Sequence, residues 1–299
     1  MEGKKLTSPV ARTRKRLAFY FLLPLCGIMI WLVIWPLFYT IYLSFRFHNL
    51  YNLTTRGWAG FHNYVALFTN QLFWHSVKLQ IIYVIVVVGV EFIFGFIIAL
   101  LLDRKMKGIN FLRGLIVLPL IMAPVVVGFF WRFLFEPTSG LVNYLFSIVG
   151  LSGLHWIDTA ETALIAIMIV DIWQWTPFMA IVLLAGMQSV QREVNEASML
   201  DGLGFFKHMR YVLIPIIKPV ILIVVLIRCI DAIKVFDSIL VLTRGGPGTS
   251  TFLMNVFNYD LLFMHLEAGE AATCGLMTIV LINIVAISLI KIMSQRAQA

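Results

Sequence analysis

Most of the groups in this chain that can do chemistry sit where chemistry is expensive. Arg228, Asp231, Lys234 and Asp237 lie inside an otherwise apolar run. A charge at mid-bilayer costs roughly 2.5–3.5 kcal/mol even on the gentler insertion scales. Their signs alternate at every third residue, so neighbours can pair on one helix. Each step turns about 300°, so the stripe drifts by about half a turn and Arg228 and Asp237 face opposite sides. Two readings follow. The four form a self-neutralising ladder, or one or two of them line a pathway, where Asp231 or Asp237 accepts hydrogen bonds from a hydroxyl-bearing guest. Asp171 stands beside Trp173 and Trp175 in another apolar run. A carboxylate beside aromatic faces suits a sugar, whose C–H face stacks while its hydroxyls bond; the same aromatics also suit packing. Glu91 and Asn283 are lone polar residues in further apolar runs and read as contacts between helices.

Other chemistries lack their parts. No His cluster, no Cys with a base and no metal-ligand spacing occurs. Cys26, Cys229 and Cys274 lie in or beside apolar stretches and read as small hydrophobes. ATP hydrolysis needs Gly, four residues, then Gly-Lys-Ser/Thr to cradle phosphates, and no such run is present. No cofactor is expected in this chain.

The elements that must hold these residues are membrane helices. Of 299 residues 61% are hydrophobic and 13% charged, about half the charge of an ordinary soluble domain. Mean hydropathy is +0.93. The apolar runs are continuous rather than alternating, which excludes a transmembrane barrel. The expected class is all-α and polytopic, with about six spans at roughly 17–45, 77–102, 112–135, 160–187, 216–243 and 271–293. Pro24 and Pro36 are expected to bend the first span or mark its ends, and Pro119 and Pro124 lie inside the third. Net charge is +8, but Lys and Arg collect at 1–16, 103–113, 188–215 and the tail. That places both termini in the cytoplasm and removes the case for a nucleic-acid partner. Residues 1–16 form a basic cytoplasmic segment, and 17–299 form one transmembrane domain. The external segment 46–75 is aromatic, suiting an interfacial belt or a docking role. Gly245-Gly246-Pro247-Gly248 permits a sharp external turn.

The loop 188–215 differs from its surroundings. It carries Glu196, Ala197, Ser198 and Gly202, then Val212-Leu213-Ile214-Pro215. Val190 to Leu200 reads as a short helix ended by Gly202 and Gly204. A second short helix, about 205–212, is expected near the membrane with Phe205 and Phe206 available for contact, and Pro215 opens the next span. Physics alone leaves this as an amphipathic connector or a docking element.

Glu196-Ala197-Ser198, three residues, Gly202, nine residues, then Val212-Leu213-Ile214-Pro215 resembles the EAA motif of ABC-importer permeases. The departures, Ser198, Val212 and Ile214, keep small residues small and aliphatic ones aliphatic. Trp35-Pro36 leading to Ser44-Phe45, Gly60-Phe61-His62-Asn63-Tyr64, Trp173 to Phe178 and Leu242 to Pro247 are similar to the binding-protein-dependent sugar permeases of the maltose and glycerol-3-phosphate type. The resemblance implies a type I ABC-importer permease fold in a bacterial inner membrane. It also implies a second, homologous permease subunit, two ATPase subunits that bind ATP and Mg, and an extracytoplasmic solute-binding protein. Glu196, Ala197, Ser198, Gly202 and Pro215 would belong to the ATPase-coupling segment. Gly246 would face the translocation path or the binding protein, and Asp171, Trp175, Asp231 and Asp237 are the other pathway candidates. The cargo would be a sugar or sugar derivative. The same architecture importing a polyamine, phosphate or amino acid, or an ion-coupled carrier resting on the span-five charges, are the alternatives.

Overall fold

The structure is a computed structural model that describes residues 9–51, 57–104 and 106–295. The expected basic segment falls outside these residues at 1–8, as do Lys105 of the basic stretch 103–113 and Arg296 of the tail. The helices are α1 Pro9–Met29, α2 Trp35–Ser44, α3 His62–Thr69, α4 Gln71–Leu102, α5 Ile109–Ile121, α6 Pro124–Leu134 and α7 Leu141–Ile148. They continue with α8 Ala160–Gln188, α9 Arg192–Leu200, α10 Phe205–His208, α11 Ile214–Ile233, α12 Asp237–Leu242, α13 Met254–Tyr259 and α14 Ala268–Gln295. The exception to an all-α chain, among the described residues, is a two-residue antiparallel ladder, β1 Arg46–Phe47 with β2 Gly57–Trp58. Five stretches are long and apolar enough to cross a bilayer: Phe19–Ser44, Gln71–Leu102, Ala160–Gln188, Phe205–Ile233 and Ala268–Ile292. The pair α5 and α6 makes a sixth, bent by 96°.

The residues fall into two compact units, 1–67 with 261–276 and 68–260 with 277–299. In the first, Asn63 is buried and donates to the carbonyls of Ser44 and Arg46 at 2.8 and 2.9 Å. The Ser44 hydroxyl meets Tyr64 Oη at 2.8 Å. These bonds take up backbone groups freed where α2 ends. A Cβ on Gly269 would overlap the Arg46 carbonyl, so the chain needs glycine at that approach.

In the second unit α8 is the central rod, with 61% of its apolar window buried against 28% for α4. Small residues allow this. Ala163, Ala166 and Ala180 are fully buried on α8. A Cβ on Gly95 of α4 would lie 2.8 Å from Met179, and one on Gly186 would lie 2.9 Å from Val220. Membrane helices associate through such close packing, because lipid is as apolar as their side chains.

Several expectations need correction. The third span is not one rod. It breaks at Met122 and Ala123, and Gln174 of α8 donates to the freed Met122 carbonyl at 3.0 Å. The fifth span lies earlier than 216–243. It starts at Phe205 and ends at Ile233, where Asn255 takes the carbonyls of Ile233 and Val235 at 3.0 and 3.2 Å. The separate helix expected at 205–212 is therefore the first part of that span. Of the two outcomes expected for Pro24 and Pro36, marking the ends of the first span is not what occurs, since both lie inside Phe19–Ser44. A π-type stretch, Ile30–Ile34, precedes Pro36, just as Met209–Leu213 precedes Pro215. Widening the turn relieves the ring's clash with the carbonyl four residues back. The second span also begins earlier than expected, at Gln71, because the Asn70 side chain accepts from Leu72 N at 2.8 Å and caps it.

Candidate functional site

The site begins at Arg228. Its side chain is buried on α11, 1% exposed. Nε and Nη2 donate to the two oxygens of Glu91 on α4, each at 2.7 Å. Nη2 also donates to Asp171 Oδ2 on α8 at 2.9 Å. The guanidinium lies over the Trp175 ring, 4.9 Å from its centroid. Three helices are thereby joined through one fork-shaped cation, and each carboxylate lies on a different neighbour.

The expected ladder of four charges is not what forms. Asp231 and Lys234 do pair, at 3.0 Å. Arg228 instead turns inward to Glu91 and Asp171, and Asp237 lies beyond the break at Lys234 to Phe236, on α12. A continuous helix was the premise of the ladder, and Asn255 removes it. Asn283, expected to bridge helices, bonds back to Ile279 O of its own helix at 2.8 Å and is exposed.

Beside this cluster lies a cavity of about 210 Å³ lined by Pro124, Asp171, Gln174, Trp175, Arg228, Asp231, Lys234, Val235, Phe236, Asp237 and Ser238. Four of the five residues expected along a pathway, Asp171, Trp175, Asp231 and Asp237, line it together. Gly246 does not. It sits in the turn that Gly245 and Gly248 make possible with φ of +90° and +59°, and its carbonyl accepts from Thr251 Oγ1 at 2.9 Å. Trp173 packs on Phe130 and Trp131, with centroids 6.3 and 5.6 Å away. The cavity sits where both broken spans meet α8. Pro124 opens α6, and Asp237 and Ser238 open α12, which packs on α6 so closely that a Cβ on Gly128 would lie 3.1 Å from Val241. Interrupted membrane helices are tolerated where they line a protein cavity, because polar groups there can be satisfied. The arrangement offers carboxylates, an amide, a hydroxyl and an indole to a polar, polyhydroxylated guest. It holds no nucleophile with an adjacent base.

Sequence reasoning missed the Glu91–Arg228 pair, and Gln174 and Lys234 as lining residues. A signal was present: Glu91, Asp171 and Arg228 each fall close to the centre of an expected span. Lone charges of opposite sign at one depth in three helices are candidates to meet.

The second expected site is the loop after α8. Helix α9 closes on Gly202 at φ +73°, with Asp201 N bonded to Ala197 O at 3.0 Å and Leu203 N to Ser198 O at 3.2 Å. Only glycine takes that conformation cheaply. Glu196 and Ala197 are exposed, and Leu200 and Phe206 are 89% and 83% exposed. Ser198 points the other way. It is buried, and its Oγ lies 2.7 Å from His208 Nδ1 on α10. Its small size serves the joint between α9 and α10, while the outward face belongs to Glu196, Ala197 and Leu200. Pro215 stands in the first turn of α11.

Comparison with known proteins agrees with this architecture. The trehalose/maltose transport system permease protein MalF of Thermococcus litoralis is 32% identical over 279 residues, 93% of each chain. The trehalose transport system permease protein SugA of Mycobacterium tuberculosis is 26% identical over an alignment of 302 residues, 99% of this chain and 96% of that one. A crystal structure of a bacterial alginate ABC transporter, in complex with an alginate pentasaccharide-bound periplasmic protein, shares the fold with a TM-score of 0.81 over 93% of each chain, at 20% identity. The family described as binding-protein-dependent transport system inner membrane component matches residues 91–299, the stretch that holds the buried cation, the cavity and the exposed α9. With more than half its length matched, this chain belongs to that family.

Proposed function

We propose that this chain is a permease subunit of an ATP-driven importer of a sugar or sugar derivative, working by alternating access in a bacterial inner membrane. The observation that carries this is α9: a short helix between two spans whose outer face exposes Glu196, Ala197 and Leu200. Its inner face is tied to the start of the fifth span through Ser198 and His208. From His208 the chain stays helical through Met209–Leu213 into α11. That rod carries Arg228 and Asp231 to the cavity. A displacement of α9 is thus delivered along one stiff element to the residues that would hold the cargo.

The names of the relatives support a saccharide cargo. The Lys and Arg distribution supports α9 and both termini on the cytoplasmic side. In this reading two ATPase subunits grip α9 and bind ATP and Mg. A homologous permease subunit completes the bundle, and an extracytoplasmic binding protein delivers the sugar. Asp171, Asp231 and Asp237 accept hydroxyl hydrogen bonds, and Trp175 stacks on a sugar face. The cargo must bind one state of the bundle better than the other for transport to be driven.

Ala197→Arg tests this directly, because the side chain points outward and the chain's own fold does not need it. In the complex purified with its ATPase subunits, the variant should melt at the wild-type temperature within the bundle. It should lose at least about 10-fold in sugar-dependent uptake, the effect of about 1.4 kcal/mol. Normal uptake by the variant overturns the coupling role of α9.

A further inference from the structure

The charge that a guest meets in the cavity is set partly by a residue that does not line it. Both Glu91 oxygens accept from one Arg228 fork at 2.7 Å, the geometry of an ionised carboxylate against guanidinium. From the same arginine Asp171 receives a single hydrogen bond at 2.9 Å. One cation therefore serves two carboxylates, and the better-held partner is Glu91, which is fully buried and outside the cavity lining. Asp171, which does line the cavity, is left only partly compensated. Asp231 is matched by Lys234 at 3.0 Å. Among the described residues Asp237 forms no ion pair, and it faces the same cavity. The remaining lining groups are Gln174, Ser238, Trp175 and apolar side chains. Four acidic side chains, Glu91, Asp171, Asp231 and Asp237, stand against two basic ones, Arg228 and Lys234, so acid groups are in excess in and behind the cavity.

We propose that this cavity admits uncharged or amine-bearing saccharides and rejects acidic ones, and that Glu91 is the positioning residue for that choice, because it takes up two N–H groups of the Arg228 fork that an acidic guest would otherwise use. The inference rests on the reading of the cavity as the place where cargo is held. It goes beyond that reading by assigning the cargo's charge class. An alginate ABC transporter shares the fold at 20% identity; in this proposal the charge class is set by side chains in and behind the cavity rather than by the fold. Beside a partly solvent-open cavity a single unit charge a few ångströms from the guest shifts binding by roughly 10-fold.

The test uses the whole complex in lipid nanodiscs, with the binding protein left out so that its own selectivity does not contribute. Three probes of equal length are compared by equilibrium binding: maltotriose, a glucosamine trimer and a uronic-acid trimer. Wild type should bind the uronic-acid trimer at least about 10-fold more weakly than maltotriose. Glu91→Gln releases Arg228 to Asp171 and removes one negative charge; the ratio should narrow by about 10-fold. Asp237→Asn, an isosteric change at an exposed position, should narrow it as well. A Glu91 that merely holds the helices together would weaken all three probes in proportion and leave the ratio unchanged, which overturns the proposal. Equal affinity of wild type for the acidic and neutral trimers overturns it too, with the transport reading intact. Failure of all three to bind overturns the cavity as cargo site, and the selectivity proposal with it.

Discussion

Taking Arg228 out of water into the middle of a helix bundle costs several kcal/mol in lost hydration, and the Glu91 and Asp171 carboxylates offset it only because their geometry is good. The three side chains are at most 5% exposed. Deleting one partner leaves the others buried and uncompensated. Arg228→Ala should therefore destabilise the protein by about 3–5 kcal/mol, seen as a large drop in melting temperature in detergent. Arg228→Lys should rescue little, since a single ammonium cannot fork to both Glu91 oxygens while reaching Asp171. Arg228→Met together with Glu91→Gln and Asp171→Asn removes all three buried charges and should recover part of the loss. An unchanged melting temperature for Arg228→Ala would show that the cluster does not hold the bundle. At the other site, Gly202 has open space around its Cα, so what selects glycine there is the backbone angle rather than crowding.

Among the elements, the contact between α4 and α8 has the least room. With its Cβ 2.8 Å from Met179, Gly95→Val should force the two helices apart and cost about 1–3 kcal/mol. Met179→Ala in the same chain should restore much of it, measured as melting temperature; no cost from Gly95→Val would contradict the packing described. The apolar runs were legible in the sequence because lipid imposes a length on them, and the spans at 19–44, 71–102, 160–188 and 268–292 lie close to where that length puts them. The breaks were not legible. Pro24, Pro177 and Pro219 sit inside unbroken helices, yet Pro124 opens a new one after a 96° bend. What differs is a partner far along the chain, Gln174, which takes the Met122 carbonyl. The break after Ile233 has no proline or glycine at all, and depends on Asn255. The candidate site divides in the same way. Asp171, Trp175, Asp231 and Asp237 could be named from type and setting. The Arg228–Glu91 pairing links positions 137 residues apart, and no local pattern encodes it.

At the scale of the whole molecule the first span stands out for its apolar surface, none of its 18-residue apolar window being buried. Bare lipid covers such a helix, or a second permease subunit does; the proposed assembly supplies the subunit. The same assembly gives the exposed α9 its ATPase neighbour. The cavity and the α9 joint lie at the two ends of the helical stretch 205–233, and the proposal couples nucleotide to cargo through α11. The measurement that bears most directly on this account is uptake of a labelled saccharide into proteoliposomes holding the purified complex, with its binding protein outside. The account predicts uptake that requires ATP inside and stops when the ATPase subunits are omitted. Uptake that continues without them, or that follows an imposed ion gradient, would contradict it.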